Sequence, residues 1–595
     1  MNCTRLSMPV SANRGLSLLI LFFTLTGCQT LPKAPEYVAA GDYDSVTTYL
    51  SERIPVEMKR HSVKGLSIAL VSEEGVRWAA GFGLADVSQK IKASSETRYR
   101  IGSLTKPLTA LVIMRLHERG LVDIDRPVTD YLPGFSIRSR FGTKPVITLR
   151  TLLAHHSGLP SDLLAGMWVD HPVSLAELVE EMRDESLASE PETQYRYSNP
   201  GYSLLGRVIE VVTEKPYAQA MREELFEPLA MEATKVSVGR EGVPGLAAGY
   251  REGKPYPVLS LRDTPAGGVS SNATDMAKVL GMLFGNDSTY IQKKTLAEIF
   301  RTQYPGLALD FGHQVGLGWV KSGLDLAKGE TVIWHTGGAF PHQAFIAQLP
   351  EHKLGVVILS NSMEGKQFMT ELGREALTLM LAAKIGGAPE RDPDIVPGKP
   401  VQLTSSQLGH YTGSYTAFGQ LVEFRQKGQR LETSLNGHAF QLLPTSEGTF
   451  LVRAEALGVF SFPLNKLRLR FENADNQEVA LLTGFPAPIV FTRIPERPVS
   501  EAWHQRLGRY SLDTRGESFE ISCLELKIEN SVLIMQAKLR GRFTDDQEIP
   551  LRIPLLPVSD TEAVVWGLGN GEGGTVRVLE NGALYYSGFT LAREQ

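Results

Sequence analysis

The sequence predicts an α+β chain whose C-terminal third turns all-β. Three observations carry this. From about residue 44 to residue 385, strand-like and helix-like stretches are mixed. GGAPERDPDIVPGKP (386–400), with four prolines and three glycines, then reads as a linker. Beyond it the text becomes short alternating strands with turns, as in LVEFRQKGQRLETSLNGHAFQLLP (421–444).

Within the first region, GLSIALVSEEGVRWAAGFGLAD (65–86) reads as two strands about a turn at Glu73-Glu74-Gly75. Ser103 to Gly120 reads as a helix. Leu104, Leu108, Leu111 and Val112 recur at i, i+4, i+7 and i+8, one apolar face. Pro107 sits in the first turn, where its missing N–H costs nothing, and Gly120 is the stop. KLGVVILSNS (353–362) reads as a buried strand, and FMTELGREALTLMLAAKI (368–385) as an amphipathic helix. In the last region LGHY (408–411) recurs as LGRY (507–510). This suggests two β-rich, barrel-like modules at 401–497 and 500–595; a single β domain with a long insert is the competing view.

Composition excludes several classes. The chain has 595 residues, 42% hydrophobic and 21% charged, which is ordinary for a globular protein with sizeable cores. Its formal net charge of −5, without a long basic run, argues against nucleic acid as a partner. No HExxH-like or Cys/His spacing accompanies His155-His156, so the pair reads better as a loop beside the candidate site than as metal ligands; no metal or other cofactor is expected, and the GxG of GFGLAD is too slight to suggest a nucleotide.

The N-terminus departs from this average. Arg5 and Arg14 precede the short apolar run Leu16 to Leu25, about half of what a spanning helix needs, which describes an export signal. The run ends Leu25-Thr26-Gly27-Cys28, which resembles the lipobox of bacterial lipoproteins. The resemblance implies a signal peptide at 1–27, a diacylglycerol on Cys28 and a tether at 28–43. Gln29 follows the cysteine, not aspartate, which by the same resemblance favours the outer membrane. The chain is thus expected to be lipid-anchored and to face the periplasm, with its acyl chains as the membrane contact. The cysteines are Cys3, Cys28 and Cys523. With the first removed and the second lipidated, the mature form is expected to hold no intrachain disulfide.

Three short motifs carry the chemistry. Ser103-x-x-Lys106, in IGSLTKP, occurs often by chance and also suits a helix start with a solvated lysine. Tyr197-Ser198-Asn199, in YRYSNPGYSLLG, also suits a polar turn before a helix beginning near Gly201. His335-Thr336-Gly337, in TVIWHTGGAF, is rarer, and the apolar residues before it suggest a strand running into the triplet. Tyr202 and Trp334 read either as pocket lining or as core.

A Ser-x-x-Lys, a second polar motif and a Lys-Thr-Gly-like strand, in this order, are the marks of the serine β-lactamase and penicillin-binding class. Residues 44–385 resemble its class C β-lactamase-like branch, which includes D,D-carboxypeptidases, D-aminopeptidases and esterases. LRTLLAHHSGLPSD (149–162) and TPAGGVSSNATDMAKVL (264–280) resemble further family segments. The resemblance implies an antiparallel sheet flanked by helices with an all-helical subdomain. It implies Ser103 as nucleophile, Lys106 as base and Tyr197 as proton relay hydrogen-bonded to both. It further implies that Asn199 holds the substrate amide, that Thr336 offers its hydroxyl to a substrate carboxylate, and that the N–H groups of Ser103 and Gly338 form the oxyanion hole. Gly337 and Gly338 let the strand approach the acyl group. His335 stands where β-lactamases carry lysine, which makes efficient antibiotic hydrolysis doubtful and points to peptidase and esterase relatives. The expected activity is hydrolysis of small amides or esters, such as D-amino-acid peptides, through an acyl-enzyme. A carboxylesterase and a non-catalytic ligand-binding lipoprotein are the alternatives.

Overall fold

The structure, a computed structural model, describes residues 31–594 apart from 143–144, 240–242, 286–288, 327–328, 390–397, 436–437, 457–459, 486, 515 and 542–546. The expected signal peptide at 1–27, the lipidation residue Cys28 and much of the expected linker therefore lie outside the described residues. Among those described, no helix is long and apolar enough to cross a membrane.

A six-stranded sheet organises the first region, in the order Ile91–Lys92, Gly75–Asp86, Gly65–Ser72, Leu354–Ser360, His342–Leu349, Ile333–Ala339. Every neighbouring pair is antiparallel. The strand LGVVILS is apolar up to its last residue because both of its faces are covered. Leu354, Val356 and Ile358 point into one core, with Leu50 and Ile54 of the helix Tyr43–Arg60 and Leu372, Leu377 and Met380 of the helix Gly365–Ile385. Val357 and Leu359 point the other way, into a core built with the helices Thr105–Glu118, Asn199–Thr213 and Ala273–Leu283. Period-two alternation thus feeds two layers from one strand. The strand Ile333–Ala339 is the sheet's edge, which leaves its outer side for the cleft.

The helix expected from Ser103 is built differently at its start and on its faces. Gly102–Leu104 form a 3₁₀ turn, and the α-helix runs Thr105–Glu118. It has no solvated face over most of its length: Thr105 to Met114 are all buried. Thr105 and Thr109 satisfy their hydroxyls internally, on Gly102 O at 2.7 Å and Pro265 O at 2.8 Å, so polarity here does not mark an exterior.

The C-terminal region folds as two closed eight-stranded barrels of consecutive antiparallel strands, from Gly413–Ala417 to Ile489–Arg493 and from Gly508–Leu512 to Phe589–Arg593. Their interiors are filled with side chains, such as Tyr415, Phe424 and Phe450 in the first and Leu526, Met535 and Leu555 in the second. A short helix packs against each core, Ser405–Gly409 through Leu408 and Glu501–His504 through Trp503, both wholly buried. The internal repeat is real, but its register differs from the LGHY/LGRY match. Gly413 and Gly508 both open a first strand, at φ +138° and +136°, and each faces the guanidinium of the last strand, Arg493 or Arg593. Tyr415 and Tyr510 each donate to the carbonyl four residues earlier. The matching segments are therefore Gly413-Ser414-Tyr415 and Gly508-Arg509-Tyr510. Cys523 lies in the strand Phe519–Glu529, and the other two cysteines, Cys3 and Cys28, lie outside the described residues.

Candidate active site

Ser103 lies in the 3₁₀ turn ahead of the central helix and is partly exposed. The turn is possible because Gly102 adopts φ +52° beneath the edge strand: a Cβ there would lie 2.5 Å from the carbonyl carbon of Gly338. Gly337 is needed for the same contact, since its Cβ would fall 1.9 Å from Ile101 O. Two backbones thus press together, which brings residue 338 beside the nucleophile turn.

Lys106 is one turn further on and wholly buried. Its Nζ donates to Ser103 Oγ at 3.3 Å, to Asn199 Oδ1 at 2.7 Å and to Ala266 O at 3.0 Å. The aromatic faces of Tyr197 and Tyr202 stand 4.5 and 5.6 Å away. Burial pushes the ammonium down to about 7, against the opposing pull of the Asp162 and Asp263 carboxylates. Burial thus brings the ammonium's proton loss toward neutrality, beside the hydroxyl it contacts.

Tyr197 and Asn199 flank the start of the helix Asn199–Thr213. Ser198 between them is its N-cap, accepting from Gly201 N–H at 3.1 Å, with Pro200 in the first turn. Tyr197 hydrogen-bonds Ser103, and burial pushes its phenol up. The expected second bond, from Tyr197 to Lys106, is not made: Nζ spends its hydrogens on Ser103, Asn199 and Ala266, and Tyr197 presents its ring face to it. His155 stacks on Tyr197 at 4.4 Å, and its Nδ1 accepts the Ser198 N–H at 3.1 Å. Asn199 is engaged at both ends. Its Oδ1 takes the lysine, and its Nδ2 donates to Asp162 Oδ1 at 2.6 Å, leaving one amide hydrogen for a substrate.

His335 is 7% exposed in the edge strand. Its Nδ1 meets Thr336 O at 2.6 Å. A carbonyl only accepts, so Nδ1 carries the proton and Nε2 is left as an acceptor. Burial, reinforced by the Lys106 charge, pushes the imidazole down to about 3. At neutral pH this position therefore supplies no cation.

The structure brings Ser103, Lys106, Tyr197, Asn199 and the strand 335–338 into one cleft. Trp334 instead joins the core on the far side of the sheet, while Tyr202, donating to Leu153 O at 3.0 Å, walls the lysine. His156 pairs with Asp310 at 3.1 Å, away from the nucleophile, and no group of three His, Cys, Asp or Glu among the described residues is arranged to hold a metal. Sequence reasoning read His155-His156 as a loop beside the site but missed two supports: Asp162 and the buried Arg262–Asp263 pair, 3.2 Å apart, which precedes the segment carrying Ala266 O. Asp162 lies within the family-like segment 149–162, which was its one visible signal.

A nucleophilic hydroxyl, a desolvated amine bonded to it and a strand edge beside both define the class, that of the serine hydrolases. The beta-lactamase family model matches residues 50–379, and the chain belongs to that family. Protein flp of Staphylococcus aureus strain MW2 is 27% identical over 311 residues, 51% of this chain and 61% of that protein. The chain thus spans about three fifths of that relative. Penicillin-binding protein 4* of Bacillus subtilis strain 168 is 26% identical over 423 residues, 67% of this chain and 90% of its own. Among solved structures, the octameric penicillin-binding protein homologue from Pyrococcus abyssi is 25% identical with a TM-score of 0.51, over 75% of this chain and 99% of that one. SurE, 20% identical with a TM-score of 0.56 over 76% of this chain and 99% of its own, shares the fold.

Proposed function

We propose that the chain is a lipid-anchored, periplasm-facing hydrolase that cleaves small amides or esters, D-amino-acid peptides among them, through an acyl-enzyme on Ser103. The observation that carries this reading is the bond between Ser103 Oγ and the buried Lys106, whose amine is free near pH 7. In acylation Lys106 Nζ takes the hydroxyl proton and Oγ bonds to the substrate's carbonyl carbon. The N–H groups of Ser103 and Gly338 stabilise the oxyanion. The C–N or C–O bond then breaks, with the proton passing through Tyr197 to the leaving group. Water, deprotonated by the same groups, later cleaves the ester on Ser103.

His335 bears on the substrate. A neutral imidazole with an acceptor nitrogen does not attract a carboxylate, so the site favours aminopeptidase-like or esterase-like substrates over those anchored by a C-terminal carboxylate. Thr336 remains as a hydroxyl donor. The carboxylesterase reading is kept on this observation.

The test uses protein without its first 28 residues, with Ser103→Ala in parallel. A p-nitrophenyl ester, a D-amino-acid p-nitroanilide and a penicillin are each followed by turnover and by intact mass. Adduct and turnover confined to the wild type support the mechanism, and the ranking of the three substrates assigns the class. Equal turnover by Ser103→Ala sinks it. For the anchor, the full chain is expressed in a Gram-negative host. A diacylglyceryl mass on Cys28, and release from membranes by Cys28→Ala, are expected; an unlipidated chain, with that thiol free or oxidised, refutes the anchor.

A further inference from the structure

We infer that the second barrel belongs to the catalytic apparatus: its loop 567–573 clamps Arg196 and Ser161, and through them holds Tyr197 and Asn199 against Lys106. Arg196 is accordingly a positioning residue. The inference rests on the acyl-enzyme reading of Ser103.

Arg196 directly precedes Tyr197 and is 2% exposed. Its backbone N–H donates to His155 O at 2.7 Å, which ties it to the ring stacked on Tyr197. Its Nη1 leaves the catalytic domain and donates to the carbonyls of Glu572 at 2.6 Å and Gly569 at 3.3 Å. Gly573 is fitted to this plug: a Cβ there would lie 2.7 Å from Ala188 Cβ and 3.0 Å from Arg196 Nη1. The same loop reaches the other flank of the site. Gly571 N–H donates to Ser161 Oγ at 3.2 Å, and Ser161 O accepts the Asn199 N–H at 2.9 Å. Beside it, Ser587 Oγ donates to Asp162 O at 3.4 Å and accepts from Leu164 N–H at 2.9 Å.

The loop is itself braced. The Glu572 side chain is buried and accepts from Gly569 N–H at 2.7 Å, from Thr416 Oγ1 at 2.8 Å and from Gly419 N–H at 3.1 Å. Glu572 therefore gives its carbonyl to the catalytic domain and its carboxylate to the first barrel. Three folded units meet at one residue, and the residues they grip lie next to the proton-transfer groups. A module serving only as a spacer needs no such contact.

The consequence falls on Lys106. Its free amine at neutral pH depends on exclusion of water by the rings of Tyr197 and Tyr202 and by Asn199. The ionisable groups about it are Asp162, Asp263, His155, His335, Tyr197 and Tyr202, and substituting Arg196 or Ser161 alters none of them. Loosening the wall wets the lysine, so its pKa rises toward the solution value.

The experiment measures labelling of Ser103 by a fluorophosphonate, by intact mass on the full chain without its signal, from pH 5 to 10. In this reaction Oγ bonds to phosphorus, fluoride leaves and Lys106 receives the proton. Arg196→Met, Arg196→Lys and Ser161→Ala are compared with wild type, with thermal unfolding to report folding. Arg196→Met is expected to slow labelling at pH 7 at least tenfold and to move the pH midpoint up by about one unit or more. Arg196→Lys should restore much of both, and Ser161→Ala should shift the midpoint in the same direction by less. If Arg196→Met does not fold, Ser161→Ala decides alone. Midpoints equal to wild type in the folded variants, with rates lowered only by the folded fraction, overturn the inference. An unlabelled wild-type Ser103 instead overturns the acyl-enzyme reading beneath it.

Discussion

Asp162 offers a sharp test of how the base is tuned. Its carboxylate accepts the Asn199 amide at 2.6 Å, and the other end of that amide takes Lys106 Nζ at 2.7 Å. The two bonds in series place the charges roughly 7 Å apart, an attraction of about 2 kcal/mol at an effective dielectric near 20. That attraction favours the protonated lysine and opposes the effect of burial. Asp162→Asn keeps an acceptor for the Asn199 amide and removes the charge. The Lys106 pKa should then fall below about 7, by about 1–2 units. The sign follows from the role: the base works when neutral, so activity rises with pH through the lysine pKa. The acid limb of kcat/KM for a p-nitrophenyl ester should therefore centre near pH 7 in the wild type and move to lower pH in the variant. A variant limb at the wild-type position, or at higher pH, would show that Asp162 does not set the lysine's charge and would refute the electrostatic reasoning.

Two further outcomes follow from the same cleft. Because His335 is neutral above about pH 3 while Lys106 titrates near 7, the KM ratio of an ester bearing a free carboxylate to its uncharged analogue should follow the same course from pH 5 to 8 in wild type and in His335→Asn; a fall of the ratio below pH 6.5 that His335→Asn abolishes would reveal a titrating imidazole. Gly337→Ala drives a methyl to 1.9 Å from Ile101 O, so calorimetry should show destabilisation by about 1–3 kcal/mol or more, and Ser103 labelling should drop at least a hundredfold; a wild-type melting temperature would contradict the close approach of strand and turn.

The parts of this molecule legible in the sequence are those whose residue types are dictated by chemistry or by two-sided burial. A nucleophile and an amine one turn apart, a tyrosine two before an asparagine and a glycine pair at the end of an apolar strand are read without coordinates. So are GLSIALVS and LGVVILS, because strands covered on both faces read as nearly continuous apolar runs. The change to β modules is equally plain, and each module closes into a barrel. What failed to show is what depends on partners far along the chain. Nothing in the sequence shows that Thr105, Lys106 and Thr109 are all buried, with acceptors brought by residues 102, 199 and 265–266. Nothing in the sequence marks Arg196 as buried; its partners come from the loop 567–573. The barrel repeat was visible, but a four-letter match set it in the wrong register, because Leu-Gly-x-Tyr recurs by chance while the glycine facing an arginine recurs by structure.

The same contrast explains the departure at His335. A lysine there would place a second ammonium near Lys106, and each cation would disfavour the other. With a neutral imidazole, Lys106 is the cation nearest the nucleophile, and its charge is set by burial and by two carboxylates. On the proposed mechanism, binding strength for an anionic substrate is thereby given up, and freedom of the base to work near pH 7 is kept. Asn199 shows the same economy: the amide expected to hold a substrate spends its oxygen on the lysine and one hydrogen on Asp162. A single hydrogen is left to orient the substrate. The two residues that engage Asn199 from its other side, Ser161 and Asp162, are in turn held by the second barrel.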